Sequence, residues 1–564
     1  MTAMRESAIE RPAAIPGGAP AAATGAPWWK AGAIYHVYVR SFADASGDGV
    51  GDLRGLTERL DHLNDGTSRS LGVSGVWLSP IYPSPNRDVG YDVADYTAID
   101  PACGDLEDFD ALVAACRQRD IHVVMDLVLN HTSDLHPWFE SSRAGRGSDK
   151  RDWYIWRDPA PGGRPPNNWR SWFGGSAWTL DEESGQYYLH TFLPEQPDLN
   201  WHNPEVRAAA LDVFRFWLDR GVSGFRLDVF NAYFKHPELP SNPRRLGRTA
   251  WARQRHVYNK DRPEVHDFLA ELRELLDAHD AMAVGETFEG EPELVASYCD
   301  KLHMAFNFDF LAQEWSAKRL QSAIRRWDRL LTQEHLWPSW VLSNHDHPRH
   351  ARRYGRALTT AEADARAKVA AALMLTLRGT PFIYYGEEIG MQGAELAPAQ
   401  CWDLAGEGFD RDTARTPMQW SGERGSGFSA AAPWLPLGSD YRERNVAEQD
   451  GDPRSILSFY RQLIWLRRAS PALQTGSWTP LLEEPRTALA YLRSSAEQTM
   501  LVLLNLSGET ARVRFASPLP SRRWTPRLST SRADIGWSVP VGRELLLRPY
   551  EATVLEADEA AHAG

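Results

Sequence analysis

From residue 33 onward, short runs of β-branched and aromatic residues alternate with segments in which apolar side chains recur every three or four positions. Eight of the runs read as strands, over residues 33–42, 72–80, 122–131, 223–229, 282–287, 301–308, 339–346 and 378–388. The segments between them read as amphipathic helices. Residues 206–220 put Phe214, Trp217 and Leu218 on one face, and residues 264–278 do the same with Phe268, Leu272 and Leu275. A strand–helix unit repeated eight times predicts a parallel sheet closed into a (β/α)8 TIM barrel, an α/β fold, over residues 28–131 and 204–470.

Two stretches break this rhythm. Residues 132–203 are crowded with Trp, Gly and Pro and carry no long amphipathic pattern, which predicts a subdomain inserted after the third strand. Residues 392–444, after the eighth strand, predict a lid-like loop. Beyond a helix around 455–468 the pattern changes to short alternating runs at 489–493, 500–506, 511–515 and 544–547. These predict a C-terminal antiparallel β-sandwich domain over 471–564. The first 27 residues, rich in Ala, Pro and Gly, lack the apolar stretch of a secretory signal and are expected to be a disordered leader.

Composition narrows the partners. The 564 residues carry a formal net charge of −13, which argues against nucleic acid and anionic membranes, since either would be met by a basic face. No apolar run is long enough to span a bilayer, so a soluble cytoplasmic protein is expected. The four cysteines, Cys103, Cys116, Cys299 and Cys401, show no metal or redox spacing and are expected to be buried thiols. Twenty-three tryptophans suit the flat faces of sugars as well as they fill cores, and most are expected in the core. A small neutral substrate fits this balance, and the oligomeric state stays open.

In a barrel of this kind the active site is built from the C-terminal strand ends, so a polar residue closing an apolar strand is a candidate. The third strand closes on Asp126, Asn130 and His131, the fourth on Arg226 and Asp228, the fifth on Glu286, and the seventh on Asn344, His345 and Asp346. One such Asp would read as a cap or turn residue; four such ends on one rim point to chemistry. A retaining glycosidase needs one carboxylate as nucleophile and a second carboxyl about 5–5.5 Å away as acid and base. Asp228 and Glu286, on neighbouring strand ends, meet that need. Arg226, two residues before Asp228 and on the same strand face, would keep it ionised. Glu286 must instead hold a proton near neutral pH.

The segments Asp126-Leu-Val-Leu-Asn-His131, Gly224-Phe-Arg-Leu-Asp228, Val284-Gly-Glu-Thr287 and Ser343-Asn-His-Asp346 resemble, in order, the four signature regions of the α-amylase family, glycoside hydrolase family 13. The resemblance implies Asp228 as nucleophile, Glu286 as acid and base, Asp346 as a third carboxylate gripping sugar hydroxyls, and His131 and His345 as hydrogen-bonding groups around the same sugar. For each histidine a purely structural role is the alternative. Asp88-Val-Gly-Tyr-Asp92 and Arg415-Thr-Pro-Met-Gln-Trp420 resemble the α-glucosidase and oligo-1,6-glucosidase branch. That resemblance implies an ion pair between Asp88 and Arg415 closing the pocket floor, Tyr91 stacked on the sugar, and release of one terminal glucose at a time. A surface pair without a role is the alternative. Phe173 and Phe192 match aromatic positions lining that pocket, or pack ordinarily.

The loop from Asp44 to Asp52 places Asp44, Ser46, Asp48, Val50 and Asp52 at alternating positions, a spacing that suits a structural Ca²⁺. It is not an EF-hand, since Gly55 stands where a bidentate Glu is needed. The family's own metal site resembles it with Asn where Ser46 stands, and an Asp/Gly turn without metal is the alternative. No cofactor is expected for the chemistry.

Three functions are compatible with these features. The first is a retaining exo-acting α-glucosidase on maltose-, isomaltose- or sucrose-type substrates. The second is a transglucosidase or disaccharide isomerase that hands the glucosyl group to a sugar. The third, a non-catalytic sugar-binding homologue, is disfavoured by the presence of all three acids. Val229, after Asp228, resembles the residue found in relatives that prefer α-1,6 bonds, but Phe230-Asn-Ala-Tyr233 and Glu286-Thr-Phe-Glu289 do not match the oligo-1,6-glucosidases.

Overall fold

The computed structural model describes residues 25–403, 411–531 and 539–558; the leader expected over 1–27 therefore falls, up to residue 24, outside the described residues. Eight parallel strands form the central sheet: β1 (Ile34–Val37), β2 (Gly75–Leu78), β3 (His122–Leu127), β4 (Gly224–Leu227), β5 (Met282–Gly285), β6 (Met304–Ala305), β7 (Ser339–Val341) and β8 (Thr380–Tyr384). Their order is β7-β8-β1-β2-β3-β4-β5-β6, each strand beside its sequence neighbour. At the remaining seam, between β6 and β7, the Ser339 hydroxyl donates to the Ala305 carbonyl at 2.8 Å. The TIM barrel expected from the alternating pattern is the fold observed.

The strands are shorter than their apolar runs because polar side chains pull the backbone off the ladder. β6 keeps two of the eight residues expected over 301–308: Asn307 caps a one-turn helix, Phe308–Leu311, its side chain accepting from the Phe310 amide. β7 stops at Val341, since Asn344 Oδ1 accepts the amides of Asp346 and His347, at 3.0 and 2.9 Å, and turns the chain.

Inside the barrel, Ile34, Trp77, Val124, Met282, Val284, Met304, Val341 and Phe382 form one apolar cluster, drawn from every strand but β4. β4 supplies a charge instead: the Arg226 guanidinium stands 5.5 Å from the centre of the Trp77 ring. Outside, the helices bury the faces that their periodicity predicts. Pro204–Asp219, capped by Asn203, buries Val206, Phe214, Trp217 and Leu218, and Glu264–Ala278 buries Phe268, Leu272 and Leu276, leaving the expected Leu275 half-buried.

After β3, three short antiparallel strands, Trp156–Arg157, Gln186–Leu189 and Trp178–Asp181, pair in that order over Ile155, Trp169 and Trp178. Toward the C-terminus a six-stranded sheet and a two-stranded ribbon are joined by a shared core of Leu501, Leu503, Val513, Phe515, Trp524 and Leu547. Cys103, Cys116 and Cys299 are buried thiols; Cys401, expected to join them, is half-buried. Among the described residues no helix is long and apolar enough to cross a membrane.

Candidate active site

Asp228 and Glu286 each lie one residue beyond a barrel strand, and the ladder sets them side by side. The Asp228 amide donates to the Leu127 carbonyl of β3 at 3.0 Å, and the Glu286 amide to the Leu227 carbonyl of β4 at 2.9 Å. Gly285, just before Glu286, is required by the turn after Asp228: a Cβ there would come within 2.4 Å of the Phe230 ring. Val229 takes a left-handed backbone, φ 35° and ψ 37°. For a β-branched residue that conformation costs roughly 1–3 kcal/mol, so the surrounding packing of Phe192, Trp251 and Phe288 must hold it.

Arg226 ties the acids together from beneath. Its guanidinium donates to Asp126 at 2.7 Å, to Asp228 at 2.6 Å and to Glu286. Asp126 also accepts the Tyr91 hydroxyl at 3.0 Å, and that hydroxyl shares a hydrogen bond of 2.7 Å with His345 Nε2. Asp346 completes the rim, with His345 Nε2 at 3.2 Å, Arg415 at 3.0 Å and Arg411 at 3.3 Å.

Burial dominates the ionisation of this cluster. It raises the Asp228 carboxyl to about 7 against the pull of Arg226. It raises Glu286 to about 8, with the charges of Asp228 and Asp346 adding to the effect. Asp126 rises to about 6 for the same reason. One cation is shared among three buried carboxyls, so Arg226 does not by itself hold Asp228 in the ordinary carboxylate range as expected, and the three titrate as a linked group. Asp346 behaves oppositely. Burial pushes it up, but the hydrogen bond from His345 and the charges of Arg411 and Arg415 outweigh that and hold it well below the usual range. Burial also pushes His345 down to about 4, so it is neutral.

These residues surround a cavity of about 290 Å³. Of the residues singled out in the sequence, Asp88, Tyr91, His131, Phe173, Phe192, Asp228, Glu286 and Asp346 line it, and Trp172, Phe288, Glu289, Phe308, His347 and Arg411 join them. His131 is set by the Tyr91 carbonyl at 3.0 Å and the Gln196 amide at 3.1 Å.

The floor pair differs from expectation. Asp88 pairs with Arg411, at 2.7 Å, and not with Arg415. Both arginines flank the short turn Asp412–Ala414, which sends them to opposite sides. Arg411 comes forward, bridging Asp88, Asp346 and Asp403 over the Phe173 ring. Arg415 is buried behind, donating to the His345 carbonyl at 2.9 Å and lying 3.4 Å from Asp403 and 3.8 Å from Asp412. The loop that carries Asp88 is framed by Asp92, which accepts from the amides of Arg87 and Asp88 at 2.8 and 3.1 Å.

The model of the alpha amylase catalytic domain matches residues 36–476, most of the chain and every residue that lines the pocket. The chain belongs to the α-amylase family. It is 44% identical over 521 residues to a probable alpha-glucosidase of Rhizobium meliloti, covering 88% of this chain and 92% of that one. It is 38% identical to an oligo-1,6-glucosidase of Parageobacillus thermoglucosidasius, covering 93% and 98%. Among solved structures, that of the alpha-glucosyl transfer enzyme XgtA superimposes with a TM-score of 0.86 at 39% identity, covering 94% of this chain and 100% of that one.

Within this α-amylase-family site, Arg226, His345 and Arg415 stand behind the pocket wall and shape it through the residues that they hold. Sequence reasoning missed Arg411, Asp403 and Gln196. Arg411 carried a signal, being four residues from Arg415 in the same segment; Gln196 and Asp403 sit in irregular stretches and carried none.

The Asp44 loop is folded mainly on its own hydrogen bonds. Asp44 accepts from Ser46, Gly47, Gly49 and Ser429, Asp52 from Ala45, Ser46 and Gly55, and Asp48 from Val50. Among the described residues no three acidic, His or Cys side chains are gathered as a metal cage.

Proposed function

We propose that the chain is a retaining, exo-acting α-glucosidase that releases α-glucose from the non-reducing end of short oligosaccharides and disaccharides. The observation that carries this reading is the Arg411 bridge: Arg411, fixed between Asp88 and Asp346, lines the cavity beside the three acids, where it would form the floor. Such a pocket holds one terminal ring and leaves no room for a chain running through it.

In this reading Asp228 attacks the anomeric carbon while Glu286 gives its proton to the departing glycosidic oxygen, so the C–O bond breaks and a glucosyl ester of Asp228 forms. Glu286, now a carboxylate, takes a proton from water. The water oxygen displaces Asp228, and the two inversions return the α-configuration. The setting suits these roles, because the charges of Asp228 and Asp346 add to burial in raising Glu286, which favours its holding the proton. Asp346, ionised throughout, accepts hydroxyls of the bound sugar and stabilises the positive charge growing on the ring. Proton NMR of the first product from p-nitrophenyl α-glucoside is expected to show α-glucose; β-glucose appearing first would sink the double displacement.

Arg411→Ala opens the floor. It is expected to raise KM for disaccharides roughly tenfold or more, as loss of a charged, buried partner does, with p-nitrophenyl β-glucoside remaining inert. Arg415→Ala, acting from behind Asp346, is expected to reduce kcat more than it raises KM. If Arg415→Ala alone reproduced the KM effect, Arg415 and not Arg411 would form the floor.

A second reading, transfer of the glucosyl group to a sugar in place of water, is supported by the likeness to XgtA, an alpha-glucosyl transfer enzyme. It uses the same ester and differs only in the acceptor.

For the loop, we propose a structural Ca²⁺ bound by Asp44, Ser46, Asp48, Val50 and Asp52. The reading rests on spacing and on exposed Asp48, which accepts one amide and keeps lone pairs for a cation; half-buried Asp44, which already accepts four hydrogen bonds, would exchange some of them for the ion. EDTA is expected to lower the unfolding temperature by several degrees and Ca²⁺ to restore it. An unchanged temperature would mean that the loop stands on its hydrogen bonds alone.

A further inference from the structure

The cavity wall continues past the acids through Thr287, Phe288 and Glu289. Thr287, Glu289 and Phe308 also border an adjoining hollow of about 280 Å³ with Glu291 and Asp309. Glu289, three residues after Glu286, therefore stands where the catalytic pocket opens into the next.

Its setting is unusual for an exposed glutamate. The backbone is left-handed, φ 48°, a conformation that a residue with a Cβ seldom adopts. Two buried side chains hold it there. The Lys260 ammonium donates to the carbonyls of Phe288, at 3.0 Å, and of Glu289. Asn231 accepts the Phe288 amide at 2.7 Å and donates to the Phe288 carbonyl at 3.0 Å. The side chain is fixed as well: the indole N–H of buried Trp251, stacked on His256 at 3.6 Å, donates to Glu289 Oε2 at 2.9 Å. Among the described residues that is the carboxylate's one hydrogen bond, on a group with about four acceptor positions. A carboxylate is thus held in one orientation on the pocket wall with most of its accepting capacity unspent.

We propose that Glu289 is a specificity-determining residue on the far side of the scissile bond, accepting hydrogen bonds from the hydroxyls of the sugar that leaves or that receives the glucosyl group. The inference rests on the α-glucosidase reading. The ligand it favours is an uncharged polyhydroxyl ring; a phosphorylated or carboxylated one meets like charge. Trp251 acts through Glu289 and is a positioning residue.

The test compares kcat/KM for p-nitrophenyl α-glucoside, whose leaving group has no sugar hydroxyls, with kcat/KM for whichever of maltose, isomaltose and sucrose the wild type cleaves best. In Glu289→Ala the disaccharide value is expected to fall roughly ten- to a hundredfold, the effect of losing a charge-assisted hydrogen bond, and the aryl value by several-fold less. Glu289→Gln, of the same shape, is expected to move in the same direction by less, and Trp251→Phe likewise. Equal losses on both substrates in Glu289→Gln, or none on either, would overturn the proposal. A wild type inactive on the aryl glucoside would instead count against the α-glucosidase reading itself.

Discussion

Replacing Asp228, the proposed nucleophile, by alanine is expected to lower kcat on p-nitrophenyl α-glucoside by at least about four orders of magnitude, the usual consequence of deleting a covalent nucleophile. The fold is expected to survive. Asp228 is a buried carboxyl raised to about 7, well above its range in an unfolded chain, so in its ionised form it opposes folding. The penalty is absent at acid pH, where the group is protonated in both states, and develops as the pH rises above the unfolded value. Asp228→Ala is accordingly expected to be at least as stable as the wild type at neutral pH, with the difference vanishing near pH 4. Two readouts thus move in opposite directions, which separates loss of a nucleophile from loss of structure. Azide offers a third. It fits the space left by the carboxylate, attacks from the same face, and is expected to give β-glucosyl azide. A variant keeping more than about a hundredth of the wild-type kcat would end the assignment.

Asp228 was legible because its position has a simple physical cause. Strands buried on both faces are mostly apolar: Gly224–Leu227 carries one charge, Arg226, before Asp228 follows it, and Met282–Gly285 carries none before Glu286, so both acids are conspicuous. The same reasoning located the barrel, since helix and strand periodicities are local. It failed where geometry is not local. Arg411 and Arg415 are equivalent by composition and spacing; which of them faces Asp88 depends on a turn of three residues between them. Gln196 reaches Asp88 and His131 from the inserted segment, across 108 and 65 positions of sequence respectively. Glu289 owes its orientation to Lys260, Asn231 and Trp251, none of which has a pattern that would announce the contact. The ionisation of the acids was legible only in sign. Burial, more than the adjacent arginine, sets Asp228, and burial is a property of the whole fold.

Arg226→Met tests that balance directly, and its expected effect on stability is the largest of any single change in the site. Methionine keeps much of the volume against the Trp77 and Tyr91 rings, which lie 5.5 and 5.6 Å from the guanidinium, while removing the charge. Asp126, Asp228 and Glu286 are then three buried carboxyls without their shared cation. Leaving a buried charge unpaired costs about 3–5 kcal/mol, and here the carboxyls can escape part of that by binding protons. Their folded values, already raised by burial, rise further. The loss of stability is therefore expected to be small near pH 4, where the unfolded chain is protonated as well, and to grow as the pH rises toward 8. Denaturant unfolding of variant and wild type across that range measures it. A deficit of constant size at every pH would show that Arg226 matters for packing and not for charge. Activity obeys the same logic. With Asp228 protonated at neutral pH the nucleophile is masked, so kcat should fall by at least about a hundredfold and the acid limb of the pH profile should move upward. An unshifted limb would mean that the acids draw their ionisation from elsewhere, from Arg411 and Arg415 through Asp346.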